Sequence, residues 1–318
     1  MYKNEFKNTA YISLIYCFRM IGLFIIFPIF SLYINHLDHA TPFLIGLALG
    51  VYGLTQAMLQ IVLSICSDKF GRKPVILFGL VLFIIGSIVA ALSTSIYGII
   101  IGRAIQGAGA IGSTLTALVA DTTKEENRLK AMSLVGMSIG LSFLVAMIIA
   151  PILNSIIGLS GIFWLTAVFG FVSMFMLSKV PTPQTPTFHH EGKAVLTLIK
   201  DVLQHKELLK LNFGIFCLHA CLTALFIVIP TILTNILKVP ADYQWLVYFP
   251  VLIISFALMF PFVMIAEVQR KMRRFFIVAV AILAACMGAL ALSYTHIILL
   301  CVFLTLFFAA FTFLESCL

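Results

Sequence analysis

Long, unbroken apolar segments dominate the sequence and leave the chain few ways to fold. Hydrophobic residues make up 62% of the 318 residues, whereas charged residues make up only 10%. A soluble domain is about half apolar and about a quarter charged, so this composition excludes a soluble protein. Inside lipid only helices and closed barrels satisfy the backbone. Because the apolar runs are continuous rather than alternating, we predict an all-α, polytopic transmembrane helix bundle.

The apolar segments predict ten membrane-spanning helices. Each is long enough to cross the hydrocarbon core of a bilayer, or nearly so. The first follows a basic N-terminus, but it is too long for a cleaved signal peptide and is expected to remain as span 1. The predicted spans are residues 10–32, 42–66, 74–92, 96–119, 131–156, 161–177, 211–237, 245–266, 275–293 and 296–318.

Basic residues are concentrated on alternate connections between the spans. Lys and Arg occur at the N-terminus and in the loops after spans 2, 4 and 8. The connections on the opposite side carry none, with Lys238 as the exception. Cytoplasmic loops are enriched in Lys and Arg. The pattern therefore predicts that the N-terminus and all even-to-odd loops are cytoplasmic.

The longest connection divides the chain after span 6. It opens with the proline-rich stretch VPTPQTP and continues with apolar residues on one helical face and lysines elsewhere. This pattern is typical of a basic amphipathic helix on the inner leaflet, but a solvated linker helix fits equally well. We predict an N-terminal six-helix bundle at 1–179, a cytoplasmic linker at 180–210 and a four-span C-terminal bundle at 211–318.

The two bundles show weak internal similarity. CFRMIGLFIIFP at 17–28 and CLHACLTALFIVIP at 217–230 open spans 1 and 7, and basic loops follow spans 2 and 8. Repeated halves of this kind are typical of secondary transporters, whose substrate site lies where the halves face each other.

The segment SDKFGRKP at 67–74 joins spans 2 and 3 by a very short turn. Gly71 permits a tight bend, and Pro74 suits the first turn of the next helix. A simple basic anchor is one interpretation of this loop. The order of charges is more specific than an anchor needs, which favours a functional loop built from Asp68, Lys69, Arg72 and Lys73.

The segment GRAIQGAGAIGS at 102–113 places Arg103 well inside span 4. An arginine at that depth costs about 2.5–3.5 kcal/mol on insertion scales, so it is expected to face a cavity or a partner. Gln106 lies one turn further on. Small residues such as Gly107 and Gly109 allow a neighbouring helix to approach closely.

Five other polar residues lie within predicted spans. Arg19, near the middle of span 1, carries the same insertion penalty and is expected to line a cavity or pair within it. Gln56 and Gln60 share a face of span 2, where cavity lining and helix-to-helix hydrogen bonding are both plausible. His219 could titrate near neutral pH or serve only in packing. Glu315 lies either inside the membrane or at its cytoplasmic surface.

The quoted motifs resemble those of the major facilitator superfamily. DKFGRK resembles its loop motif between helices 2 and 3, and RAIQGAG resembles a motif of its proton-coupled drug antiporters. FRMIGLFIIFP, GVYGLTQAMLQI, LKLNFGIFCLH and AEVQRKMRR resemble the YajR branch of bacterial inner-membrane transporters, so the resemblance covers essentially the whole chain. It implies two six-helix bundles, with ten of an expected twelve spans present here, and export by alternating access against proton entry.

The resemblance also implies roles for particular residues. Asp68 and Arg72 would form a cytoplasmic charge relay with Asp121, within a motif that includes Lys69, Gly71 and Lys73. Arg103 would couple proton movement to a central cavity. The other candidates for coupling or cavity lining are Gln106, Arg19, Gln56, Gln60, His219 and Glu315. A helix-packing motif would comprise Gly107, Gly109, Ala146, Ala150 and Pro151, with alanines replacing the usual glycines at 146 and 150.

These observations together predict a secondary active transporter for small drug-like or amphipathic molecules, driven by the proton gradient without a cofactor or metal. Its expected partners are a small-molecule substrate, protons and the lipid bilayer. Neither a nucleic-acid partner nor an enzyme activity is expected, and the protein is expected to be monomeric. The predicted location is a bacterial inner membrane, multi-pass, with a cytoplasmic N-terminus. The alternatives are a truncated, non-transporting remnant and a metabolite importer of the same fold.

Overall fold

The computed structural model describes residues 3–33, 38–182 and 205–317 of the chain. These residues form two compact units, one within 1–192 and the other within 193–318. Almost all of the described residues are helical, and the described part contains no β-strand. The prediction of an all-α fold is therefore confirmed. The amphipathic helix predicted within the 180–210 linker lies largely outside the described residues.

The described residues of the first unit form seven helices. They are α1 Lys3–Phe24, α2 Phe27–Tyr33, α3 Pro42–Phe70, α4 Arg72–Leu92, α5 Ile96–Ala108, α6 Gly112–Thr122 and α7 Glu125–Lys179. The second unit contains α8 Lys206–Asn235, a short 3₁₀ turn Ala241–Tyr243, α9 Trp245–Val268, α10 Met272–Ser293 and α11 Ile297–Cys317.

Local sequence explains where two of these helices begin. The Thr41 hydroxyl accepts a hydrogen bond from the backbone N–H of Leu44 at 3.3 Å, and Pro42 occupies the first turn of α3. Similarly, the Ser95 hydroxyl accepts from the N–H of Tyr97 at 3.3 Å and caps α5. Such caps satisfy donors that have no partner within the helix. Both helices begin at the residue predicted from the sequence.

Eight helical stretches of the described residues are long and apolar enough to cross a membrane. The sequence predicted ten spans, and the difference lies in spans 4, 5 and 6. Elsewhere the changes are small. The helix of span 1 begins at Lys3 rather than at residue 10, and that of span 7 begins at Lys206 rather than at residue 211.

Span 4 is not one continuous helix, which corrects the prediction of a single span at 96–119. Helix α5 ends at Ala108, and α6 begins at Gly112. Glycine is a poor helix former, costing about 1 kcal/mol relative to alanine, and this segment contains Gly107, Gly109 and Gly112. A Cβ atom on Gly109 would lie 2.3 Å from the carbonyl oxygen of Gly79 in α4. The glycines thus favour a break, and close packing holds it against α4.

Spans 5 and 6 form the two arms of α7, with only Gly158 non-helical between them (φ 66°, ψ 179°). The Ser142 hydroxyl donates to the carbonyl oxygen of Cys17 at 3.2 Å, and the ring of Phe169 stacks on Phe18 at 5.1 Å. On a straight helix residues 142 and 169 would be about 40 Å apart. Because both contact the same turn of α1, the chain folds back at Gly158, and the connection predicted between span 5, ending at 156, and span 6, beginning at 161, shrinks to one residue.

Very close helix packing holds α3, α4 and α5 together. A Cβ on Gly86 of α4 would lie 2.4 Å from the backbone nitrogen of Gln106, and one on Gly102 would lie 2.7 Å from that of Ala90. On the other side of α5, a Cβ on Gly107 would lie 2.2 Å from the carbonyl oxygen of Tyr52 in α3. Because glycine has no side chain, the helix backbones can touch at these positions, as is usual between membrane helices.

The remaining positions of the predicted packing motif lie in the first arm of α7. Ala146, Ala150 and Pro151 are all buried. The helix continues through Pro151, and its only non-helical residue is Gly158.

The second unit is held together by buried aromatic rings and a few polar contacts. The ring of Phe262 in α9 lies edge-on to Phe313 in α11, at 4.9 Å between centroids. The Ser255 hydroxyl of α9 donates to the carbonyl oxygen of Thr305 at 2.9 Å. Gln244 is fully buried, and its amide donates to the carbonyl oxygen of Pro230 and to the Thr234 hydroxyl, each at 2.9 Å. These contacts connect α8, α9 and α11.

We predict that Gly107→Ala destabilises the protein, because the new methyl group would collide with backbone atoms of Tyr52. Overpacking of this kind costs about 1–3 kcal/mol. The measurement is the thermal unfolding midpoint of the detergent-solubilised protein, which we expect to fall. Gly53→Ala in α3 is the matched control, because nothing lies within 4 Å of a Cβ at that position. Equal midpoints for the two variants would contradict the packing argument.

Candidate functional site

A one-residue turn at Gly71 separates α3 from α4. Gly71 has φ 94° and ψ 151°, a backbone conformation that residues with a side chain rarely adopt. The turn places the last residues of α3 directly beside the first residues of α4. Asp68 and Arg72, four positions apart, therefore meet although they belong to different helices.

Arg72 joins three helices through its guanidinium. It forms an ion pair with Asp68 and donates from Nη1 to the Ser67 hydroxyl at 2.7 Å. Its Nε donates to Oδ2 of Asp121, at the end of α6, at 3.0 Å. The Arg72 side chain is 16% exposed, against 55% for Asp68 and 23% for Asp121. We call these four residues the Arg72 cluster. Partial shielding from water makes its inner ion pair, to Asp121, the stronger of the two.

The two lysines of the same loop lie outside the Arg72 cluster. Nζ of Lys73 donates to the carbonyl oxygen of Val180, the C-cap of α7, at 2.8 Å. A lysine at a helix C-terminus satisfies a carbonyl that has no partner and favours the local dipole. Lys69 instead lies 5.5 Å from the centroid of the Phe70 ring.

Glu5 is a contact near this end of the unit that the sequence did not reveal. Its carboxylate accepts from the backbone N–H of Lys124 at 3.3 Å and from the side-chain amide of Asn127 at 2.9 Å. A carboxylate at the start of α7 is stabilised by the helix dipole. The only signal in the sequence is an acidic residue in the first turn of α1, which predicts no particular partner.

Arg103 lies in α5 and is fully buried, and its partners are all uncharged side chains. Its Nη1 donates to Oε1 of Gln106 at 3.1 Å, and Nε2 of Gln106 donates to the Ser87 hydroxyl at 2.7 Å. The guanidinium also lies 4.5 Å from the centroid of the Tyr52 ring, a favourable cation–π distance. We call these four residues the Arg103 network. The sequence indicated Arg103 and Gln106, but not the partners Ser87 and Tyr52 on other helices.

Arg19 is the second buried arginine, with 1% of its surface exposed. Its Nη2 donates to Oε1 of Gln56 in α3 at 3.2 Å. Gln60, one turn further along α3, has its carbonyl oxygen 3.4 Å from the hydroxyl of Ser113 at the start of α6. Arg19, Gln56 and Gln60 are therefore brought together beside the break in span 4.

In the second unit His219 and Glu315 face each other. Nε2 of His219 in α8 lies 4.0 Å from Oε1 of Glu315 in α11, and both side chains are half exposed. Nδ1 of His219 lies 3.1 Å from the carbonyl oxygen of Ile215, to which it can donate. In that tautomer Nε2 accepts protons and faces the carboxylate. The sequence indicated both residues but could not pair spans 7 and 10.

Among the described residues, no group of three or more His, Cys, Asp or Glu side chains lies close enough to hold a metal ion. The candidate functional residues of the first unit are the Arg72 cluster, the Arg103 network and Arg19; those of the second unit, taken by itself, are the His219–Glu315 pair.

Comparison with known proteins identifies the family. The sequence profile of the Major Facilitator Superfamily matches residues 12–317. The inner membrane transport protein YajR of Escherichia coli is 40% identical over 317 residues, which cover 99% of this chain and 70% of YajR. The class H tetracycline resistance protein of Pasteurella multocida is 30% identical over 155 residues, which cover 48% of this chain and 38% of that protein.

A solved structure shows the same fold. The D-xylose–proton symporter superposes with a TM-score of 0.70 at 15% sequence identity, covering 99% of this chain and 82% of that one. The chain therefore belongs to the Major Facilitator Superfamily and is a multi-pass membrane transporter of small molecules rather than an enzyme.

Proposed function

We propose that this chain is a proton-coupled transporter that exports small amphipathic molecules by alternating access. The observation that carries the proposal is the Arg72 cluster, in which one guanidinium joins the ends of α3, α4 and α6. A contact of this kind exists only while the three helix ends are together. It therefore stabilises one arrangement of the helices over another, as alternating access requires.

The ion pair between Arg72 and Asp121 is the part of the Arg72 cluster that can act as a conformational switch. The ion pair with Asp68 lies within one turn and survives a rigid movement of α3 and α4 together. The ion pair with Asp121 crosses to α6 and is lost when α6 moves away. The energy difference between the two arrangements therefore resides mainly in the contact with Asp121. We place this end of the unit in the cytoplasm, because the basic connections lie there.

Proton coupling is assigned to the His219–Glu315 pair. The described spans of the second unit contain no other acidic residue facing a histidine within ion-pair distance. A proton on either side chain changes the charge of the pair and hence its attraction. Arg103 contributes a fixed positive charge within the first unit, where the Arg103 network holds it without a carboxylate partner.

Export is the direction that the sequence relatives favour. The similarity to a tetracycline resistance protein covers 48% of this chain. The structural likeness to a D-xylose–proton symporter supports the fold alone, which also serves import. The fold does not determine the direction of transport. The direction is therefore measured by following ethidium in everted membrane vesicles and in intact cells. Accumulation in energised everted vesicles indicates export.

We predict that Asp121→Asn lowers ethidium export at least about tenfold, the loss expected when about 1.4 kcal/mol of state-specific stabilisation disappears. Asp68→Asn is expected to have a smaller effect, because its carboxylate is 55% exposed. The control is Glu207→Gln, which removes a charge that is 72% exposed and paired only with Lys210 among the described contacts. Export by Asp121→Asn at the level of Glu207→Gln, with equal amounts of protein in the membrane, would refute the proposed switch.

We predict that Glu315→Gln separates proton-driven transport from substrate exchange. The variant keeps the shape of the side chain but loses the carboxylate that faces His219. Transport driven by a pH gradient is expected to fall at least about tenfold, whereas exchange at equal pH changes less than about twofold, because exchange needs no net proton release. The measurement uses liposomes loaded with ethidium. Equal losses in both modes would show a structural role for Glu315 instead.

A further inference from the structure

The break in span 4 creates a helix N-terminus inside the first unit. Helix α6 begins at Gly112 after the N-cap residue Ile111, which provides no side-chain hydrogen bond. The first N–H groups of a helix have no partner within it, and they carry partial positive charge. Broken membrane helices use such ends to bind anionic groups of their substrates. A helix end alone is not a site, so a second, independent feature is needed.

Arg19 supplies that feature. Its Nη2 is bound to Gln56, but Nε and Nη1 are buried and lack a hydrogen-bond partner in the described chain. Nη1 lies 3.7 Å from the position that a Cβ on Gly112 would occupy. Nη1, which has no hydrogen-bond partner, therefore lies next to the start of α6. Two sources of positive charge meet at the same place.

The described residues of the first unit provide no counter-ion for Arg19. Arg103, the other buried arginine, lies against the Tyr52 ring, and no such ring contact is found for Arg19 among the described residues. The described acidic residues of this unit all lie at helix ends or in connections: Glu5, Asp38, Asp68, Asp121, Glu125 and Glu126. A buried charge without a partner is strongly unfavourable. A partner from outside the chain would remove that cost.

Gly112 leaves room for such a partner. A Cβ at this position would lie 3.4 Å from the hydroxyl of Tyr16, 3.7 Å from Nη1 of Arg19 and 3.8 Å from Oε1 of Gln60. These are ordinary contact distances, so a methyl group fits there without moving the backbone. The absent side chain of Gly112 therefore leaves a gap of about one methyl group beside these polar atoms, and Nη1 of Arg19 borders it.

We propose that Arg19 and the first turn of α6 form a binding site for an oxyanion, that is, for a ligand that carries a carboxylate or phosphate group. Nη1 of Arg19 and the backbone N–H groups at the start of α6 are separate donors that match different oxygen atoms of one anionic group, which favours carboxylate and phosphate over a spherical halide. The site goes beyond the proposed function, because anion binding there requires neither transport nor proton coupling. It would bind an anionic ligand and not a neutral analogue of the same shape.

The test measures binding to the purified full chain in detergent. The thermal unfolding midpoint is recorded against increasing benzoate or inorganic phosphate at constant ionic strength, with benzamide as the neutral probe. We expect a saturable rise with at least one anion and none with benzamide. A rise with benzoate alone assigns carboxylates, and a rise with phosphate alone assigns phosphates. No saturable rise with either anion overturns the proposal.

Two variants locate the binding. Gly112→Ala fills the space with a methyl group and is expected to weaken anion binding at least about tenfold while the protein stays folded. Its matched control is Gly136→Ala in α7, where nothing lies within 4 Å of a Cβ. Arg19→Gln is expected to abolish the anion effect and to raise the midpoint measured without anion, because an uncompensated charge is removed. An unchanged anion response in Gly112→Ala, or a lower midpoint for Arg19→Gln without anion, overturns the proposal.

This binding assay is independent of transport. If ethidium export depends on Asp121 as expected but no anion binds, only the oxyanion site is wrong. If benzoate binds at Arg19 but no export or import of any probe is found, the proposed transport function is wrong and the site stands by itself.

Discussion

The energy of a desolvated arginine is the constraint on which the interior of the first unit depends. Arg19 and Arg103 lie inside helices where water cannot solvate them, and no carboxylate lies within ion-pair distance of either in the described residues. Arg103 is stabilised by an aromatic ring and by glutamine. Those contacts require α3, α4 and α5 to touch, which explains the glycines along their shared surfaces. Charge and packing are therefore two parts of one arrangement.

Much of the fold follows from the sequence because lipid leaves a chain so few options. The lengths of the apolar segments predicted the helices. Turn residues such as Gly71 and Pro42 predicted several helix ends to within a few residues. The residues of the Arg72 cluster were also identifiable, since their charges interrupt apolar runs at the helix ends. Periodicity and composition suffice where one physical requirement dominates.

The sequence was insufficient to predict the features that depend on contacts between helices. The break at Gly109 depends on how closely α4 approaches, and glycines are equally common in unbroken membrane helices. A connection between spans 5 and 6 was predicted where the chain folds back, but the sequence did not indicate that a single residue with positive φ, Gly158, would make the turn. Tertiary packing alone determines the partners of Tyr52, Ser87 and Glu5. Likewise, His219 and Glu315 became a pair only when α8 and α11 were seen side by side.

The positions of Arg72 and Lys73 have a mechanical consequence. These neighbours project from the first turn of α4, but Arg72 binds the end of α6, whereas Lys73 holds the carbonyl of Val180 at the C-cap of α7. A rotation of that one turn would therefore release both contacts at once. The orientation of a single helical turn in this way controls the contacts of two other helices.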